Sequence, residues 1–252
     1  MDLVFGSFVL VLGLFVGSFL NVCICRLPKE ESVVFPSSHC PACKHRLSVL
    51  DLVPLVSYAL LRGKCRYCGS PISARYPIVE LLTSLLFLAV FLRFGTAADS
   101  IFYFVFVSVL IAVTFSDLET QTIHDSLSIA GIAAGLLYGL YSGSLLYSFL
   151  GMIAGAFVFV LIRMLGKAVY KKEAMGEGDI FLAAALGAFF GLKGLFISVF
   201  LSFLIGAVVS VALLGSGMKQ KGDEIPFGPY MAVSAVIVMF WGDILWRLYL
   251  GL

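Results

Sequence analysis

Apolar runs of about 20 residues recur along almost the whole chain, and no other sequence feature limits its fold so sharply. Backbone N–H and C=O groups cannot stay unpaired in hydrocarbon, so such runs cross a bilayer as helices that close their own hydrogen bonds. Composition agrees: 61% of the 252 residues are hydrophobic and 13% are charged, whereas a soluble domain carries about a quarter charged residues. Disorder, collagen and a disulfide-stapled secreted scaffold are excluded on the same grounds. A net charge of +2 gives no reason to expect a nucleic-acid partner.

The first run, residues 3–20, has neither a basic lead-in nor a small-residue cleavage site, so it reads as a retained span. Residues 26–77 then break the pattern with eight Lys/Arg against three Asp/Glu. Seven more apolar segments follow, near 78–94, 101–115, 127–141, 145–165, 180–190, 195–214 and 230–248. Eight spans alternate the loops between two faces. The face holding the loops 26–77, 116–126, 166–179 and 215–229 carries 14 of the 17 Lys/Arg, including Lys167, Lys171, Lys172, Lys219 and Lys221. Arg93, Lys193 and Arg247 are left on the other. By the positive-inside rule the first face is cytoplasmic and both termini lie outside. The alternation hinges on Gly191 to Gly194, because one long bent helix there would invert everything downstream. The 25 glycines scattered through the spans suit close helix packing.

Cys40-Pro-Ala-Cys43 and Cys65-Arg-Tyr-Cys68 are two CxxC knuckles with 21 residues between them, one more than the usual spacing of a four-cysteine zinc site. Each knuckle aims two thiolates at one tetrahedral metal, and a closed shell leaves no position for substrate, so the zinc is structural. A segment of about 50 residues has too little core to fold unaided. Two disulfides are the rival reading, which the cytoplasmic assignment disfavours. His39 and His45 flank the first knuckle as alternative ligands, while Cys23 and Cys25 at the end of the first span read as small buried hydrophobes. The expected organisation is a first span at 1–25, a cytoplasmic four-cysteine zinc domain at 26–77 and a membrane bundle at 78–252. The fold class is an all-α polytopic membrane protein of about eight transmembrane helices, with that small domain between the first two.

Acids inside or beside apolar segments are expensive and need a reason. Asp117 closes the third span in Phe115-Ser116-Asp117-Leu118-Glu119-Thr120, and Asp179 opens the sixth in Gly176-Glu177-Gly178-Asp179. The topology places both at one boundary, where a pair of carboxyls can act as acid and base toward water, as in aspartic proteases. Gly176 and Gly178 would let backbone approach a helix or substrate. The alternative is capping: Asp179, and Asp125 ahead of the fourth span, are suited to exposed helix N–H groups. Glu80 lies within the second span, facing the bundle interior or Arg75. No nucleophile elbow and no HExxH motif is present.

Taken together, GSFLNVCICRLP at 17–28, the knuckles, the stretch at 54–87, FSDLETQTIHD, KEAMGEGD at 172–179 and IPFGPY at 225–230 resemble the bacterial type IV prepilin peptidases, the bifunctional leader peptidases and N-methyltransferases. That resemblance implies catalysis by Asp117 and Asp179, with Gly176, Glu177, Gly178 and Asp125 in supporting places. It further implies a multi-pass enzyme of the bacterial inner membrane that cuts the basic leader of prepilins and pseudopilins after a glycine. The enzyme would then methylate the new N-terminal residue with S-adenosylmethionine. The chain departs from the pattern at His124, usually proline, and at Phe181, commonly lysine. Archaeal preflagellin peptidases and presenilin-like proteases lack the four-cysteine segment. A transporter would place its acids near the midplane, commonly with repeat symmetry, and a scaffold would be indifferent to loss of the acids.

Overall fold

The computed structural model describes residues 2–95, 98–171, 175–220 and 224–250. Lys172, Lys221 and the first three residues of KEAMGEGD therefore lie outside the described residues. Among those described there is no strand, and eight α-helices carry the fold: α1 (Asp2–Arg26), α2 (Val56–Leu60), α3 (Arg75–Phe94), α4 (Ala98–Thr120), α5 (Asp125–Tyr141), α6 (Leu145–Tyr170), α7 (Glu177–Gly215) and α8 (Gly228–Leu250). Six of them, α1, α3, α4, α6, α7 and α8, are long and apolar enough to cross a membrane. That is fewer than the eight expected, for two reasons. At 17 residues, α5 reaches only about 25 Å. And the segments expected at 180–190 and 195–214 are joined in the 39 residues of α7.

A straight helix of that length would run about 58 Å, roughly twice the hydrocarbon thickness. It does not run straight. Gly191 has φ 63° and ψ −171°, a non-helical conformation in the left-handed half of the map. Before it, Ala183 meets Gly155 and Gly187 meets Gly151, so the first half of α7 descends along α6. Beyond it, the Phe203 ring lies 6.4 Å from Phe159, so the second half travels back along α6 in the opposite sense. The chain thus doubles back at Gly191.

The chain divides into two compact units, Met1–Ala112 and Val113–Leu252. In the first, α1 and α3 pair antiparallel through near-bare backbone: a methyl group at Gly17 would lie 2.7 Å from Glu80 Cα. Ser84 Oγ donates to Leu10 O at 2.8 Å in the same seam. The α3 helix, expected within the bundle at 78–252, packs against α1. In the second unit, residues 182–189 of α7 are all buried, with the backbone of Ala188 against Gly135 of α5. Three buried serines, Ser198, Ser202 and Ser234, link the second half of α7 to α8, with Ser198 and Ser234 hydroxyls 2.9 Å apart. Interhelical hydroxyl bonds of this kind replace the hydrophobic drive that lipid removes.

Candidate catalytic and metal sites

The two knuckles repeat one backbone design. Cys40 N donates to His45 O at 2.9 Å and Lys44 N to Cys40 O at 2.8 Å; Cys65 N donates to Ser70 O at 2.8 Å and Gly69 N to Cys65 O at 2.9 Å. Single antiparallel bridges, His39 with Arg46 and Lys64 with Pro71, close each loop. The turn needs a left-handed residue, which is Gly69 in one knuckle and Lys44, at φ 60°, in the other. All six cysteines are free thiols, and the sulfurs of Cys40, Cys43, Cys65 and Cys68 lie within 4.8 Å of one another. The Cys40 and Cys68 sulfurs are 3.9 Å apart, close to the roughly 3.8 Å edge of a tetrahedron with Zn–S bonds near 2.3 Å. These four residues could hold a metal ion.

Their protonation shows what the ion would supply. The Ser70 hydroxyl and N–H draw the Cys68 thiol down to about 6, whereas Cys43 sits near 11: the backbone at His45 favours its thiolate, but burial and the neighbouring Cys68 and Cys40 oppose a further charge. A divalent cation lets all four ionise together. His39 bonds Ser37 O at 3.2 Å and His45 stacks on Tyr67 with centroids 3.7 Å apart, so neither joins the tetrad. Asp51 staples the preceding turn to the second knuckle, accepting from Ser48 Oγ at 2.7 Å, Arg66 Nε at 2.7 Å and Tyr67 Oη at 3.2 Å. Burial works against its charge, yet the Ser48 and Arg66 bonds prevail and hold its carboxyl at about 2.

In the second unit, Asp117 ends α4 and is 5% exposed. Its Oδ2 accepts the backbone N–H of Gly228, the first residue of α8, at 2.8 Å. The positive end of the α8 dipole therefore points at this carboxylate. A methyl group at position 228 would lie 2.8 Å from the same oxygen, so a side chain there would displace the carboxylate from the N–H. Asp179 occupies the third position of α7 after the Gly176 cap; the Gly176 backbone bonds its carboxylate, and its charge interacts directly with that of Asp117. Gly178 packs against the turn between α4 and α5, where a methyl group would come within 2.6 Å of Ile123 Cβ. Ile123 also reaches toward Gly228, its Cδ1 3.2 Å from where a Cβ would stand, and so spaces the starts of α7 and α8. Bonds from Ser116 Oγ to Thr122 O at 3.0 Å and from Gln121 Nε2 to Glu224 O at 3.3 Å fix that turn.

The two expected aspartates are thus brought together, and Asp179 also has the capping role weighed against catalysis. Asp125 is exposed at the start of α5; the cap there is His124, whose Nδ1 accepts Ser126 N–H at 3.3 Å. Glu177 points to solvent and pairs with Arg163 of α6 at 3.0 Å. Phe181 lines an open apolar groove of about 450 Å³ with Ile132, Phe157, Val160 and Ile180. Lys167 and Lys171 are exposed. In the first unit, Cys23 is buried as expected, while Cys25 faces Arg75, whose Nη2 lies 2.8 Å from its sulfur. Glu80 is buried and accepts Leu55 N–H at 2.8 Å. Gly228 and Ile123 were missed as site residues; the IPFGPY segment at 225–230 was the signal for the first, and nothing in the sequence marks the second.

A multi-pass helical membrane protein with two carboxylates gathered from separate helix ends, and a thiol tetrad in the segment between α1 and α3, is the class that this architecture defines. Two family models match the chain: the bacterial peptidase A24 N-terminal domain over residues 11–94, and the type IV leader peptidase family over residues 104–211. A protein of Aeromonas hydrophila named prepilin leader peptidase/N-methyltransferase is 38% identical, covering 97% of this chain and 93% of its own. Proteins of the same name from Neisseria gonorrhoeae and Myxococcus xanthus are 37% and 41% identical; they cover 94% and 83% of this chain, and 91% and 63% of their own lengths. No solved structure matches. The chain belongs to the type IV leader peptidase family and is an enzyme of that family.

Proposed function

We propose that the chain is a membrane aspartic endopeptidase that removes the basic leader of prepilins and pseudopilins after glycine at the cytoplasmic face, and that it N-methylates the residue so exposed. The observation that carries this reading is the meeting of Asp117 and Asp179 at the ends of separate helices, with Asp117 Oδ2 held by Gly228 N–H. One carboxylate takes a proton from a water as it attacks the scissile carbonyl, while the protonated partner gives its proton to the carbonyl oxygen; the first carboxyl then passes the water's proton to the leaving amine, and the partner regains its own as the carbonyl re-forms. No covalent intermediate forms.

On this reading the chain crosses the inner membrane eight times, α7 making two passes folded at Gly191 and α5 spanning with its flanking residues. The Lys/Arg balance then keeps the dyad loops and residues 26–77 in the cytoplasm, where a basic leader also stays. Residues 26–77 form the methyltransferase-associated zinc domain, and residues 78–252 include the peptidase helices. Cys40, Cys43, Cys65 and Cys68 would hold the zinc, which supplies cross-linking and no reactive position. S-adenosylmethionine supplies the methyl group when bound.

Detergent-purified protein and its Asp117→Asn and Asp179→Asn variants, incubated with a prepilin, test the dyad by mass spectrometry of the leader. Asparagine keeps the shape and removes the titratable proton, so cleavage should fall by about 10²- to 10⁴-fold in each variant. Cleavage persisting in both would sink the mechanism.

A further inference from the structure

We propose that the methionyl end of S-adenosylmethionine binds in a polar nest between the end of α1 and the start of α3, with Arg75 and Asn21 as its fixed contacts. This rests on the reading of the chain as an S-adenosylmethionine-dependent N-methyltransferase. Arg75 is half-buried, its guanidinium 4.7 Å over the Tyr76 ring and its Nη2 2.8 Å from Cys25 Sγ. Deeper lies Asn21, one turn before Cys25 on α1 and 2% exposed. Its Nδ2 donates to Gly17 O at 3.3 Å and to Tyr76 O at 3.1 Å. Only the NH₂ end of an amide can serve two carbonyls, so these bonds fix which way the side chain points. The Asn21 Oδ1 is then buried with no donor. Folded proteins seldom keep such an atom unless something else brings it a proton. One turn along α3 from Tyr76, Glu80 adds a carboxylate that is 7% exposed and accepts Leu55 N–H at 2.8 Å.

Side by side, α1 and α3 therefore offer a forked cation and oxygen acceptors. An amino-acid zwitterion needs both: a guanidinium for the carboxylate and oxygen acceptors for the ammonium. The methionyl end of S-adenosylmethionine is such a zwitterion, and its sulfonium adds a positive charge suited to Glu80 and to an aromatic neighbour. Among the described residues no cation meets the aspartate dyad, and the thiol tetrad would be closed by a metal of its own. Neither alternative meets the chemistry that this cluster does.

Full-length protein in detergent, titrated calorimetrically with S-adenosylmethionine, tests the proposal, with zinc content and leader cleavage as measures of folding. Arg75→Gln and Asn21→Leu should each weaken binding about tenfold or more, and Arg75→Lys, which keeps the charge but loses the fork, should fall between. Binding at parental affinity in both variants overturns the nest and leaves the methyltransferase reading standing. A parent that cleaves leaders but neither binds S-adenosylmethionine nor methylates overturns both. Should a variant lose zinc and cleavage along with binding, photolabelling the parent with radiolabelled S-adenosylmethionine decides: label within 17–26 or 75–80 supports the nest, and label confined elsewhere refutes it.

Discussion

The knuckle segment and the helices of the second unit hold their shapes by opposite means. Between residues 27 and 74 the buried apolar side chains are few, Cys40, Pro54 and Cys65, and the path is set by backbone bonds, tight turns and the Asp51 staple. In the second unit a whole stretch of α7, residues 182–189, is buried against glycines of α5 and α6. The first region is polar and thin in core, whereas the second is built mostly of helices long and apolar enough to cross a membrane. Hydrophobic burial is too small in a segment of that size, and it contributes little between helices already in hydrocarbon. What remains is a thiol tetrad that could be cross-linked by a metal for one, and dispersion through close backbone contact for the other.

Removing the metal should separate the two most clearly. Structural zinc contributes about 10–16 kcal/mol of apparent folding free energy, so a strong chelator should open the knuckles to trypsin at Lys44, Arg46, Arg62, Lys64 and Arg66 while helical circular dichroism stays constant. Knuckles equally protected before and after chelation would show that hydrogen bonds suffice. Next in size, Gly187→Val forces a side chain into the backbone of Gly151 and should destabilise the bundle by about 1–3 kcal/mol, read by thermal unfolding in detergent with zinc content unaffected. The smallest effect compares the knuckles with each other. Lys44→Gly removes the cost of a left-handed side chain and should stabilise the first knuckle by about 0.5–1 kcal/mol, whereas Gly69→Ala should weaken the second by a similar amount. Competition with a chromogenic chelator would measure both.

Hydropathy made the long helices legible, since one residue in every position of a span must be apolar whatever it packs against. It could not tell the reversal at Gly191 from a bend, because a single backbone angle decides that and no side chain reports it. Glycine scatter announced close packing without saying that Gly17 meets Glu80 while Gly187 meets Gly151; partner choice is a tertiary property. The thiol tetrad was readable because ligand spacing is local within each knuckle. Asp117 and Asp179 stood out as charges at apolar edges, but Gly228, 111 residues from Asp117, acts through a backbone amide that looks alike in every residue. The capping of α5 moved one position from Asp125 because a histidine nitrogen at 124 accepts the Ser126 N–H, a role that proline could not fill.

That backbone amide has a consequence for how the centre withstands change. Alanine scanning deletes side chains, and the contact that orients Asp117 has none to delete at position 228; exchanging residue types there leaves the donor in place unless the newcomer is proline. Any newcomer other than glycine instead collides with the carboxylate that the amide serves. Position 228 would therefore score in a mutational survey as sensitive while naming no functional group. A drug aimed at this carboxylate would meet a donor that every substitution at position 228 but proline retains.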